Sequence, residues 1–419
     1  MTTTINNLNI TGKLNASTYF LRSDSSSNTY IGTNALGFND DGVSDSDSDG
    51  DYFFHDNTAF GFRTLTNDVS GNYNVAVGSL SMVGNTVGSN NSALGFQSLY
   101  TNTSGNDNVA LGTSSMYTNT TGGSNVAVGT NSMYSNTLGS SNVAVGQASM
   151  YTNTIGGSNV AVGTNSMFSN TTGAANVSVG ANSLNSNTIG NANVAVGQGS
   201  MFLNTTGGSN VAVGTNSMFS NTTGNANVAV GQGSMYLNTI GANNIAVGTN
   251  SLFSNTTGAN NIAMGVNNLY ANTTGINNVS IGFDALKLNV LGNGNTTIGY
   301  NSLSKATGSN NAALGVNSGQ NLTSGNNNVL IGNTTGTSIV TGNNNLCLGS
   351  NVDTGSDVSN HIIIGNAPNT SVTFNQTSSG RNPSVVFPNI SANGDPHSVV
   401  QGWLPVSVGG NVLFIPLYG

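Results

Sequence analysis

Apolar residues in this chain come in short runs, and the runs recur at a fixed interval. The string Asn-Val-Ala-Val-Gly repeats, and its glycine falls at 61, 78, 95, 112, 129, 146 and on at the same interval to 299. The interval shortens by one position at Gly315, returns at Gly332 and Gly349, and shortens again at Gly365. An earlier copy at Gly32 is separated from Gly61 by one repeat plus an insertion of twelve positions. The apolar runs are rich in Val and Ile and are separated by Asn, Thr, Ser and Gly. That is strand punctuation, with no helical 3.6-residue period.

Each seventeen-position unit reads as two short strands and two turns, too little to bury an apolar face alone. Stacking of successive units is the only way to build a core. The expected fold is therefore all-β: a parallel β-solenoid or β-roll of about 20 coils, roughly 95 Å long at the strand-to-strand spacing. Columns within the repeat support it. A Leu/Met column four positions after the ruler glycine, Leu65, Met82, Leu99, Met116 and onward to Leu303, reads as the coil interior. One asparagine opens each unit: Asn74, Asn91, Asn108, Asn125, Asn142, Asn159 and their successors. A second column runs through Asn102, Asn119, Asn136 and Asn153. Identical amides stacked coil on coil can hydrogen-bond along the axis. A second glycine column, Gly88, Gly105, Gly122, Gly139 and Gly156, follows Asn-Thr-x, where the chain must turn and glycine accepts positive φ.

The strand Val-Ala-Val is apolar on both faces, because side chains alternate across a strand. One face lines the coil. The other is a stripe too long to leave in water. Further copies of the same chain are its simplest cover, so a side-by-side homo-oligomer is expected, with three-fold symmetry the common solution for fibres.

Composition narrows the function. Only 5% of the residues are charged, with six basic residues, fourteen Asp and a net charge of −8. No basic patch can form, which argues against nucleic acid and anionic membranes as partners. Residues 108–283 carry no charge at all, so no enzyme site is expected along most of the shaft. The lone Cys347 excludes an intrachain disulfide framework. The start Met-Thr-Thr-Thr-Ile lacks the basic and apolar regions of a secretion signal, and no apolar run approaches membrane-spanning length.

The Asn-Val-Ala-Val-Gly unit, over about residues 28–365, resembles the head repeats of trimeric autotransporter adhesins of the YadA type. That resemblance implies a left-handed parallel β-roll of three chains. The unit here is longer than that family's, and neither stalk heptads nor membrane-anchor strands are recognisable. Residues 366–419 hold all six prolines and the only Trp, Trp403. Leu404 to Tyr418 reads as two strands joined at Gly409-Gly410. The tail Gly-Trp-Leu-Pro-Val…Phe-Ile-Pro-Leu-Tyr resembles the ends of fibre-like proteins of large DNA viruses and some phage tail fibres. That resemblance implies a virion-surface fibre assembled in the host cytosol. The expected division is an N-terminal attachment or cap segment (1–27), the repeat shaft (28–365) with an acidic insertion near 39–56, and a C-terminal β cap or trimerisation domain (366–419).

Candidate chemistry is sparse. Asp45, Asp47, Asp49 and Asp51, with Gly50, match the start of a calcium loop, and Asp56 falls at its twelfth position. Calcium is the one cofactor considered, against a plain solvated acidic loop. An aromatic column, Tyr100, Tyr117, Tyr134, Tyr151, Phe168 and on to Tyr270, is either a glycan-stacking surface or packing against neighbours. Asn-Thr-Thr and Asn-Thr-Ser sequons at Asn102, Asn119, Asn170, Asn204, Asn221, Asn255 and Asn272 are either glycan acceptors or plain turn chemistry. Cys347 is expected to be buried, and His361 to replace a ladder Asn. Together these features predict a structural fibre or adhesin: a rigid trimeric rod for host attachment or spacing, joined to a capsid or base protein and meeting a surface glycan or receptor. The alternatives are a bacterial-type surface adhesin and an ice-binding solenoid.

Overall fold

A computed structural model describes residues 22–23, 28–32, 34–37, 56–365, 400–408 and 411–418. After a short strand β1 (Arg22–Ser23), twenty three-residue strands run from β2 (Thr29–Ile31) to β21 (Ile362–Ile364) and form one sheet. From β2 onward every pairing in it is parallel, each strand with the next in sequence. At mid-shaft Val126 pairs with Val143, Ala127 with Ala144 and Val128 with Val145. The chain is therefore a parallel β-solenoid in which one repeat makes one coil. The insertion does not break the register: Thr29 pairs with Thr58, and the Asn57 N–H donates to Asn28 Oδ1 at 2.8 Å. The two shortened units also keep register, with Thr296 opposite Ala312 and Leu346 opposite Ile362.

Each coil contains one strand, where the sequence predicted two. The rest of the coil curls too tightly for a β ladder, because three of its non-glycine residues adopt positive φ. At mid-shaft these are Asn131 (φ 56°), Met133 (φ 51°) and Ser141 (φ 60°). Such residues cost about 1–2 kcal/mol each. Cross-coil hydrogen bonds offset that cost. The Asn131 N–H donates back to Thr113 O at 3.0 Å, and the Met133 N–H donates forward to Ser149 O at 2.8 Å. The arc is thus as firmly tied to its neighbours as the strand is.

Alternation in the strand decides what lies inside. The central Ala, as at 127, 144 and 161, is fully buried with the Leu/Met column, while the flanking Val residues face outward. A buried Ser precedes each Leu/Met over most of the shaft, and its hydroxyl donates to the next strand, as Ser132 Oγ does to Ala144 O at 3.0 Å. The ruler glycine is required twice over. Gly146 sits at φ +132°, and a Cβ there would lie 2.5 Å from Gly163 O.

The second glycine column has a different cause from the one expected. These residues have no positive φ. A Cβ on Gly88 would instead lie 2.5 Å from both Asn85 Oδ1 and Gly105 O. Close approach of ladder amides and the next coil, not turn geometry, excludes a side chain there.

The core changes composition near the end of the shaft. The first lost residue falls between Ala306, which stands in the second asparagine column (Asn102, Asn119 and onward), and the turn glycine, Gly308. From there the ladder position is apolar: Ala306, Leu322, Ile339. The Leu/Met position becomes Gly319 and Gly336, and the strand Ala becomes Leu330. A Cβ on Gly319 would meet the Leu330 and Leu303 side chains at 2.6 and 2.8 Å. Large and small residues have exchanged places at roughly constant volume, the kind of change cores tolerate best.

The expected hairpin forms. β22 (Val400–Val408) pairs antiparallel with β23 (Asn411–Tyr418), closing at Val408 opposite Asn411. Both strands carry a proline, Pro405 and Pro416, which a two-stranded ribbon accommodates because each strand has a free edge.

Candidate functional site

The two asparagine columns are buried and continuous. In the outer column each backbone N–H donates to the Oδ1 of the previous coil's Asn, and each Nδ2 donates to the turn-glycine carbonyl, except that Asn345 Nδ2 donates to Val358 O. For Asn125 these bonds are 3.1 Å to Asn108 and 2.9 Å to Gly139 O. In the inner column the amides bond directly: Asn136 Nδ2 lies 2.7 Å from Asn119 Oδ1 and 2.9 Å from Gly139 O. The members at Asn74, Asn91, Asn108, Asn125, Asn142 and Asn159, and at Asn102, Asn119, Asn136 and Asn153, are all inaccessible. They are structural girders. The sequons fall on the inner column, so in the folded shaft the nitrogen a glycan would join already donates two bonds, as at Asn102, Asn119 and Asn170.

The inner ladder has built ends. One coil before Asn85 stands Asp68, whose Oδ1 accepts from Asn85 Nδ2 at 3.1 Å and from the Gly71 N–H at 3.0 Å. The first member of the series needs only to accept, and a carboxylate does only that. Burial pushes the Asp68 carboxyl up to about 7, against the pull of the bonds from Gly71, Asn85 and Val69. At the other end Asn289 Oδ1 has no partner, because the next position is Ala306. The outer ladder ends at His361, whose N–H donates to Asn345 Oδ1 at 3.0 Å.

Two more carboxylates close the last coil. Asp357 accepts from the N–H groups of Val340, Thr341 and Gly342 and from the Thr341 hydroxyl. At mid-shaft the equivalent N–H groups donate to a Thr carbonyl of the next coil, such as Thr154 O. The carboxylate thus stands in for a missing coil. The Thr341 hydroxyl and those N–H groups hold its pKa down at about 2. Burial raises the Asp353 carboxyl, but bonds from Ser338, Thr337 and the Thr354 N–H outweigh it, leaving its pKa below the usual range. Asp68, Asp353 and Asp357 were not recognised as caps in the sequence. The sequence signal is an Asp where the repeat places another residue: Asp68 in the second Asn column, Asp353 in the Leu/Met column and Asp357 in the Thr column.

The aromatic column is half-buried and stacks on itself. Adjacent rings from Tyr100 to Phe168 lie 4.9–5.1 Å apart with interplanar angles of 3–6°. Asn185 interrupts the stack, and a second one runs from Phe202 to Tyr270. Ring faces inside each stack are occupied by neighbouring rings, which leaves edges rather than faces for a sugar.

Of the calcium residues, Asp45, Asp47, Asp49 and Asp51 lie outside the described residues. Asp56 is exposed with φ 58°, in the same column as Tyr73 and Asn90 just before the outer ladder. That position belongs to the coil itself. Among the described residues no cluster of three or more His, Cys, Asp or Glu is placed to hold a metal. Cys347 is buried in the strand column, and burial, with Asp353 nearby, raises its thiol pKa.

The feature left facing solvent along the whole shaft is the Val stripe. Val75, Val109, Val162, Val179, Val213 and Val230 are 36–41% exposed on the outer sheet face. The two outward positions of each strand are apolar throughout except at Thr29, Thr58, Ser92 and Thr296, and a band about 10 Å wide and about 95 Å long has a footprint on the order of 900 Å². Isolated soluble proteins rarely leave a continuous patch that large in water. No protein-family model matches the chain, and no curated protein matches it.

Proposed function

We propose that the chain is a rod-forming structural protein, a fibre or adhesin that assembles as a homotrimer through its Val stripe and holds its tip away from a particle or cell surface. The observation that carries this is the stripe itself: an outward band made mostly of Val, Ile and Leu and free of charge, on a shaft of cross-bonded coils. Its area matches the roughly 800 Å² per partner of a stable interface. The carboxylate caps and buried ladders support a mechanical role, because they stiffen the shaft. A virion surface is the setting the C-terminal tail supports, with the hairpin as cap or trimerisation element and a capsid or base protein at one end.

The ice-binding alternative needs a flat, free threonine array. The Thr120 hydroxyl donates to Thr137 O at 2.9 Å, and this bond recurs along the shaft. The adjacent exposed column mixes Thr121 and Thr172 with Leu138, Ile155 and Ile189. Both facts favour the fibre. Electron microscopy of the purified chain and of its parent particle tests the proposal. Straight rods about 95 Å long, projecting from the particle surface, are expected. Globules, or a location inside the particle, would overturn it.

A further inference from the structure

Between Asp107 and Asp353 the chain carries only three charged side chains: Asp284, Lys287 and Lys305. All three line one pocket of about 340 Å³ on the flank of the shaft, together with Asn301, Ser304 and Gln320. The cause of the pocket is visible in the columns. The aromatic stack ends at Tyr270, and the next positions of that column are Lys287, Ser304 and Gln320. Rings that fill this flank elsewhere are replaced by polar side chains. The first shortened turn, at Ala306 to Gly308, follows Lys305 directly in the same coil.

The charges are not balanced. Lys287 Nζ pairs with Asp284 Oδ2 at 3.0 Å. Lys305 Nζ bonds only a neutral acceptor, Asn321 Oδ1 at 3.0 Å, and has no carboxylate partner among the described residues. The pocket therefore presents one uncompensated cation in a chain of net charge −8. Around it stand two amides and a hydroxyl, and Leu288 adds an apolar wall. Ligand pockets span roughly 300–1,000 Å³, so this one suits a single ring.

From this geometry we infer that the pocket binds an anionic saccharide, its carboxylate or sulfate on Lys305 and its hydroxyls on Asn301, Ser304 and Gln320. A polyol with one negative charge matches that set of groups, whereas a long polyanion would find no second basic patch along the shaft. The inference gives the adhesive role proposed above a ligand class and rests on it for its biological meaning.

The test is calorimetric titration of the full chain with uronic-acid-terminated, sialic-acid-terminated and sulfated oligosaccharides and their neutral counterparts. Saturable binding of an acidic member, absent for its neutral counterpart and weakened by salt, is expected. Lys305→Gln keeps a donor for Asn321 and should weaken binding about tenfold or more, while Asp284→Asn frees Lys287 and should tighten it about threefold. The carboxylated and sulfated arms identify which anion is preferred. No binding of any acidic member at about 10 mM, or undiminished binding by a Lys305→Gln protein with an unchanged circular dichroism spectrum, overturns the inference. Rods seen in the same preparation would leave the fibre proposal standing after such a failure, and their absence would sink the fibre proposal whatever the titration gave.

Discussion

Replacing Asn153 with Ala cuts the inner amide ladder at mid-shaft. Three hydrogen bonds go: Asn153 Nδ2 to Asn136 Oδ1 at 2.7 Å, Nδ2 to Gly156 O at 2.9 Å, and Asn170 Nδ2 to Asn153 Oδ1 at 2.7 Å. Gly156 O keeps its bond from Asn142 Nδ2 at 2.8 Å. Asn136 Oδ1 and one Asn170 N–H are left buried and unmet. Each orphan costs about 1–3 kcal/mol, and the small cavity adds to this, so the expected loss is about 3–5 kcal/mol. Asn289→Ala is the internal control. Its Oδ1 already lacks a partner, so truncation strands one group while removing another. A loss of about 1–2 kcal/mol is expected there. Long repeat arrays do not unfold as one unit, so local stability should be read by native-state hydrogen exchange at flanking amides. Equal losses at the two sites, or less than about 1 kcal/mol at Asn153, would refute the ladder as the source of stability.

Three further outcomes follow from the same geometry. Gly146→Ala should destabilise the shaft by about 3 kcal/mol or more, measured by denaturant midpoint, because the new Cβ meets only backbone atoms of Gly163 and Thr164 and φ is +132°. Asp68 has its carboxyl raised from 3.8 to about 7, so the folded state holds the proton more tightly. Stability from this group is therefore full below about pH 4 and declines as pH rises through about 7. Asp68→Asn should remove that slope and raise stability at neutral pH by about 1–2 kcal/mol after allowing for partial solvent screening; an unchanged slope in thermal melts would contradict the burial argument. Asp357 has the opposite sign, with its pKa held at about 2. Its contribution is present above the ordinary carboxylate range and is lost as pH falls through about 2, so hydrogen exchange at Val340, Thr341 and Gly342 should accelerate there and in Asp357→Ala at neutral pH.

Much of this architecture was legible in the sequence, because a strict period forces equivalent residues into equivalent places. The coil length, the buried Leu/Met column, the amide ladders and the apolar outer face of Val-Ala-Val all come from column positions alone. What was missed depends on backbone conformation. A Met at φ 51° has no signature of its own, and the second strand expected in each unit is lost to it. A clue was present two positions after the ruler glycine, where Asn131, Asn165 and Asn182 alternate with Gly199 and Gly233, the residues that tolerate positive φ. The turn-glycine column was recognised for the wrong reason, since close packing and positive φ leave the same mark in a sequence. The pocket was illegible for another reason. Lys287 and Lys305 are separated by one coil plus one position, and only the stacked coils bring them to one surface.

The central claim is that the Val stripe joins chains into a bundle, and the molar mass in solution tests it most directly. Light scattering of the intact protein should give three times the 42.2 kDa of one chain. A Val162→Asp/Val179→Asp variant, with two charges set in the middle of the stripe, should fall toward the 42.2 kDa of one chain while keeping its β-rich circular dichroism. A single-chain mass for the unmodified protein, or a trimer mass that survives both substitutions, would contradict the account.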